Sequence, residues 1–114
     1  MMGRLSAILL LFFALVAHAE FVGETDIPLM DGMQINENES FSFDVPAGQI
    51  MGFTATSKKS VAEVRDFYQT ALEELGWQKK SANLYRRDQD ELNLQISPQK
   101  NGTSIKIQYS FSNK

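Results

Sequence analysis

SVAEVRDFYQTALEELGW, residues 60–77, decides the fold. Ser60 can accept from first-turn amides, and Glu63, three residues on, can reach back to the Ser60 backbone. That pairing is a capping box and marks a helix start. Val61, Val64, Phe67, Tyr68, Ala71, Leu72 and Leu75 then recur at intervals of three and four. Such spacing lines up one apolar stripe along a helix. Gly76 offers the left-handed residue that ends it, and Trp77 opens the return. A stripe this wide needs an apolar surface beneath it.

The flanking sequence supplies that surface as strands. Phe41, Phe43 and Val45 alternate with Ser40, Ser42 and Asp44, the period of a half-buried strand. Val45-Pro46-Ala47-Gly48 is turn chemistry. Ile50 to Ser57 reads as a second strand with Met51, Phe53 and Ala55 on one side. After the helix come Leu84 to Asp88, then an alternating run through Leu92, Leu94 and Ile96, then Ile105, Ile107, Tyr109 and Phe111. Asn101-Gly102 signals a hairpin between the last two strands, with Pro98 to Lys100 lengthening its loop. The expected fold is α+β: a two-layer sandwich, one helix on an antiparallel sheet of about five strands, in the order ββαβββ. The far face of that sheet is expected to carry Ser42, Asp44, Asn93, Gln95, Ser97, Ser104, Lys106, Gln108 and Ser110, a solvated surface without aromatics.

The amino-terminal end speaks of location. Arg4 precedes an almost wholly apolar run, Leu5 to Val16, and Ala17-His18-Ala19 follows as a small-x-small site. This is the layout of a signal peptide cleaved after Ala19. The run falls short of the roughly 20 residues that span a bilayer. The expectation is an exported protein, periplasmic or secreted, without a stable membrane anchor after cleavage. Three regions follow: a signal peptide at 1–19, an acidic and apolar arm at 20–39, and an α+β domain at 40–114.

The chain has 11 basic and 14 acidic residues, so loss of Arg4 leaves the exported product at −4. That balance argues against nucleic acid as a partner. The arm concentrates acids (Glu20, Glu24, Asp26, Asp31, Glu37 and Glu39) beside apolar Ile27, Leu29, Met30, Met33 and Ile35. Cysteine is absent, so stability comes from packing without disulfides. The single histidine, His18, leaves with the signal peptide. Triads, thiol nucleophiles and zinc sites of imidazole or thiolate thereby lose their main ingredients.

Residue types point to no cofactor and to a non-enzymatic protein. Asp88, Asp90 and Glu91 crowd one turn, where they either hold a hard cation or are simply solvated. Met30, Met33 and Met51 raise copper(I) as a thought, but methionine more often fills core gaps. Arg86 and Arg87 are neighbours on a strand, so they point to opposite faces and cannot form one fork.

Val64, Phe67-Tyr68, Leu72 and Leu75-Gly76-Trp77, with Asp26-Ile27-Pro28-Leu29-Met30 and Phe43-Asp44-Val45-Pro46-Ala47-Gly48, resemble the pattern of an uncharacterised family of short exported proteins of Gram-negative bacteria. The resemblance spans most of residues 26–111. It implies an envelope protein with no assigned chemistry and brings no catalytic residue.

Two binding functions follow as expectations. The first is an accessory subunit of a bacterial envelope assembly, contacting another envelope protein through Ile27, Pro28, Leu29, Met30 and Met33, with the oligomeric state left open. The second is a small-ligand binder for a glycan, lipid or phosphate, its site beside Trp77 with Tyr85 and Arg87 as polar handles. A hydrolase using only the carboxylates of Asp88, Asp90 and Glu91 stands behind both.

Overall fold

A computed structural model describes residues 20–113. The signal peptide expected at 1–19 lies outside the described residues. The elements are β1 (Gln34–Ile35), a 3-10 turn (Glu37–Glu39), β2 (Phe41–Val45), β3 (Gly48–Ser57), α1 (Val61–Glu74), β4 (Gln78–Lys79), β5 (Leu84–Arg87), β6 (Asp90–Gln99) and β7 (Gly102–Ser112). They form one helix and a single antiparallel sheet, an α+β arrangement.

The sheet has seven strands rather than five, and the order of elements is βββαββββ rather than ββαβββ. The two extra strands, β1 and β4, have two residues each, too short to show any periodicity. Across the sheet the order is β1-β3-β7-β6-β5-β4, and β2 shares the edge of β3 with β1. The long strands β3 and β7 pair from Gly48↔Ser112 to Ser57↔Thr103. Pro98 and Gln99 pair with Thr103 and Gly102, so the hairpin between β6 and β7 is tight and not lengthened.

The helix starts as its residues require. Ser60 Oγ accepts from the Glu63 amide at 3.2 Å, and Glu63 Oε1 accepts from the Ser60 amide. Val64, Tyr68 and Leu72 are fully buried against the sheet, while Val61, Phe67 and Ala71 are half-buried. Leu75, the C-cap, is exposed instead of completing the stripe. Opposite the helix, cross-strand rows of Met51, Tyr109, Leu92 and Tyr85, then Phe53, Ile107 and Leu94, then Ala55, Ile105 and Ile96 make the floor.

Phe41 and Phe43 are not part of that floor. They pair with Gly52 and Ile50, and so stand on the far face, about half exposed. That face carries two aromatic rings, and Ser42, paired with Met51, belongs to the helix side. A period of two fixes which residues share a face but not which face is covered.

Residues 20–29 fold back on themselves and dock. Leu29 N–H donates to Glu20 C=O at 3.0 Å, Val22 N–H to Ile27 C=O at 2.8 Å, and Phe21 and Pro28 form a β-bridge. Val22 and Ile27 are completely buried in the same core as the helix stripe. The Tyr68 hydroxyl donates to Pro28 C=O at 2.8 Å, tying the helix to this loop.

Candidate functional site

The carboxyl end of α1 is built by backbone geometry. Gly76, at φ +91°, donates to Glu73 C=O at 3.1 Å, and Trp77 N–H donates to Leu72 C=O at 2.9 Å. These are the two bonds of a Schellman motif, and they place Trp77 under the end of the helix. The indole is 3% exposed, and its ring meets Tyr109 edge-on at 5.4 Å.

Arg87 covers the indole, its guanidinium carbon 4.4 Å from the ring centroid. Both terminal nitrogens of the guanidinium are engaged as well. Nη1 donates to Asp26 Oδ2 at 2.9 Å and to Leu75 C=O at 3.1 Å; Nη2 donates to Asp26 Oδ1 at 3.2 Å and to Tyr109 Oη at 3.1 Å. It therefore clamps the arm, the negative end of the helix dipole and the sheet in one group. The hydrogen bond to Asp26 is the main cause that raises the Arg87 pKa above its ordinary value. Burial pushes the Tyr109 hydroxyl up as well, partly offset by Arg87.

Beside the indole lies a pocket of about 300 Å³ lined by Gln69 and Glu73 of α1, Trp77, Gln78 and Lys79 of β4, and Tyr85 of β5. Its aromatic walls are Trp77 and the buried Tyr85, whose pKa is raised chiefly by burial. Its rim holds two amides, one acid and one base. The Trp77 indole N–H is buried and has no hydrogen-bond partner, the one such side-chain atom among the described residues. Leaving a buried donor unanswered costs about 1–3 kcal/mol.

Of the three residues expected to hold a small ligand, Trp77 and Tyr85 line one pocket. Arg87 does not line it; its donors are turned to Asp26, Leu75 and Tyr109. Gln69, Glu73, Gln78 and Lys79 complete the pocket. Gln69 and Glu73, four apart on the helix, were legible as one exposed strip. Among the arm residues expected to meet a partner, Ile27 is completely buried and Met33 nearly so, which leaves these two no surface to offer; Pro28, Leu29 and Met30 are half-buried. The three turn carboxylates diverge: Asp88 is exposed, Asp90 accepts from Tyr109 Oη and Ser112 N–H, and Glu91 pairs with Arg86 on the far face. Met33 Sδ accepts from the Tyr68 hydroxyl at 3.4 Å, and Met51 is buried in the sheet floor.

A family model described as START domain-like matches residues 48–110. The chain belongs to the START domain-like family. The matched span runs from the first residue of β3 into β7, so it includes α1, Trp77, Tyr85 and Arg87 and leaves the arm and β2 outside. Comparison with curated proteins and with solved structures gave no match. A wider depression of about 800 Å³, bounded partly by Phe21, Leu29, Met33 and Ile35, lies along the arm, outside the START domain-like span. No helix among the described residues is long and apolar enough to cross a membrane.

Proposed function

We propose that this START domain-like chain is a small-ligand-binding domain whose site is the pocket between Trp77 and Tyr85. The observation that carries the reading is the pocket itself, where Trp77 and the buried Tyr85 form two aromatic walls among four polar side chains. The aromatic walls suit a flat or apolar body, and Gln69, Glu73, Gln78 and Lys79 suit polar groups around its edge. About 300 Å³ is at the small end of ligand pockets, so the ligand is compact. Membership of the START domain-like family supports ligand binding in this coarse sense.

The protein acts by binding rather than by catalysis. Residues 20–114 contain neither histidine nor cysteine, and the crowded carboxylates of the β5–β6 turn face three different ways. The leader-like composition of residues 1–19 supports export, with the ligand met in the periplasm or outside the cell.

The chain has one tryptophan, so its fluorescence reports on this pocket alone. Titration with lipids, glycan fragments and phosphate esters is expected to give a saturable change with at least one compound. Lys79→Ala and Gln78→Ala, on the exposed rim, should weaken that response without altering the fold. No saturable change across the panel would refute the reading.

A further inference from the structure

The sheet face turned away from α1 carries an ordered row of side chains. Phe41 on β2 stands opposite Gly52 on β3, Gly52 opposite Gln108 on β7, Gln108 opposite Asn93 on β6, and Asn93 opposite Leu84 on β5. With strands about 4.8 Å apart, this row runs about 19 Å across the sheet. Thr54, Lys106 and Gln95 form the parallel row on one side.

The row is a trough. Gly52 has no side chain because Phe41 fills its place: a Cβ there would fall 2.1 Å from a carbon of the Phe41 ring. The ring leans over β3 and remains 48% exposed, with Phe43 stacked behind it at 5.8 Å and 18°. Two depressions, about 130 Å³ at the Phe41 end and about 280 Å³ at the Leu84 end, share Asn93, Gln95 and Gln108. Those three amides make no hydrogen bond to another side chain or backbone group among the described residues. Charge is balanced: Glu91 is paired with Arg86, and Lys106 faces Glu39 across the trough.

We propose that this trough is a second binding site, distinct from the Trp77 pocket, and that it takes a linear uncharged oligosaccharide. A sugar ring has an apolar C–H face and a girdle of hydroxyls that both donate and accept. An exposed phenyl ring matches the first, and a side-chain amide, with a donor and an acceptor on one group, matches the second. Balanced charge gives a polyanion no advantage. A long, narrow trough fits a chain of rings better than a single small molecule. A protein strand adding to the open edge of β2 would read backbone groups there and would leave Gln108 and Asn93 untouched.

The test is a titration of the isotope-labelled protein with cellotetraose, maltotetraose and chitotetraose, followed by NMR. At least one tetrasaccharide is expected to give saturating shifts at the side-chain amides of Asn93, Gln95 and Gln108 and at the backbone of Phe41 and Gly52. Phe41→Ala and, separately, Gln108→Ala should each weaken binding about tenfold, or about 1.4 kcal/mol, and Gln108→Ala should do so at an unchanged melting temperature. The corresponding disaccharide should bind more weakly than the tetrasaccharide. Absence of saturating shifts with all three sugars overturns the proposal. So do shifts confined to β2 that grow with protein concentration in the absence of sugar, which mark a protein edge contact. Trp77 lies on the other side of the sheet, so this site and the indole pocket can fail independently.

Discussion

Replacing Arg87 with methionine keeps an unbranched stem over Trp77 and removes every donor of the clamp. The loss can be worked from its parts. Asp26 is 47% exposed on its side chain, so its pairing with Arg87 contributes about 0.5–1 kcal/mol. The bond to Leu75 C=O, a cation at a helix carboxyl end, adds about 0.3–1 kcal/mol. The Tyr109 hydroxyl and the indole face add about 0.5–1 kcal/mol each. Arg87→Met is therefore expected to cost about 2–4 kcal/mol, whereas Asp26→Asn, which removes only the ion pair, costs about 1 kcal/mol or less. For a domain of this size those losses lower the melting temperature by roughly 10–30 °C and 5 °C respectively. Urea unfolding followed by Trp77 fluorescence measures both, and added salt should shrink the Asp26→Asn effect by the larger fraction. If the two substitutions prove equally costly, Arg87 acts through Asp26 alone and the three-way clamp is refuted.

Other consequences are open to direct measurement. Burial raises the Tyr68 pKa from 10.0 to about 12, so its neutral form stabilises the fold fully below pH 10. That contribution, on the order of 2–3 kcal/mol, is lost as pH climbs from 10 to 12. Tyr68→Phe should flatten the fall in stability over that window while costing about 1 kcal/mol at pH 7, as Pro28 C=O loses its donor; an unchanged alkaline slope would contradict it. Lys79→Ala trims the exposed rim of the Trp77 pocket, so calorimetry should find ligand binding weakened with stability altered by less than about 0.5 kcal/mol. Leu72→Ala, at a site with no exposure, should cost about 2–5 kcal/mol by thermal unfolding. A loss below 1 kcal/mol there would mean that the helix does not rest on the sheet as described.

Local rules made the helix legible. Its start is written in Ser60 and Glu63, its end in Gly76, and its buried side in the spacing of Val64, Tyr68 and Leu72. The long strands were legible too, since Leu92, Leu94, Ile105, Ile107 and Tyr109 alternate over one buried face. Phe41 and Phe43 obeyed the same alternation and were misplaced. Their face is decided by Gly52 and Ile50 on a neighbouring strand, and nothing within residues 40–45 encodes that. Strands of two residues, β1 and β4, carry no period at all. At the pocket, Trp77 and Tyr85 stood out as aromatics at the helix exit. The role of Arg87 did not, because Asp26 lies 61 residues away and ion pairing leaves no mark on local spacing.

The strand at the heart of the sheet, β7, follows all the others in sequence. Gly48–Ser57 pairs along its whole length with Gly102–Ser112. Until residues 102–112 are available, the edge of β3 opposite β1 and β2 has nothing to zip against. Such distant pairing slows folding and lengthens the time for which β3 is open to wrong partners. A chain without Gly102–Ser112 would thus lose the seam that joins its two halves.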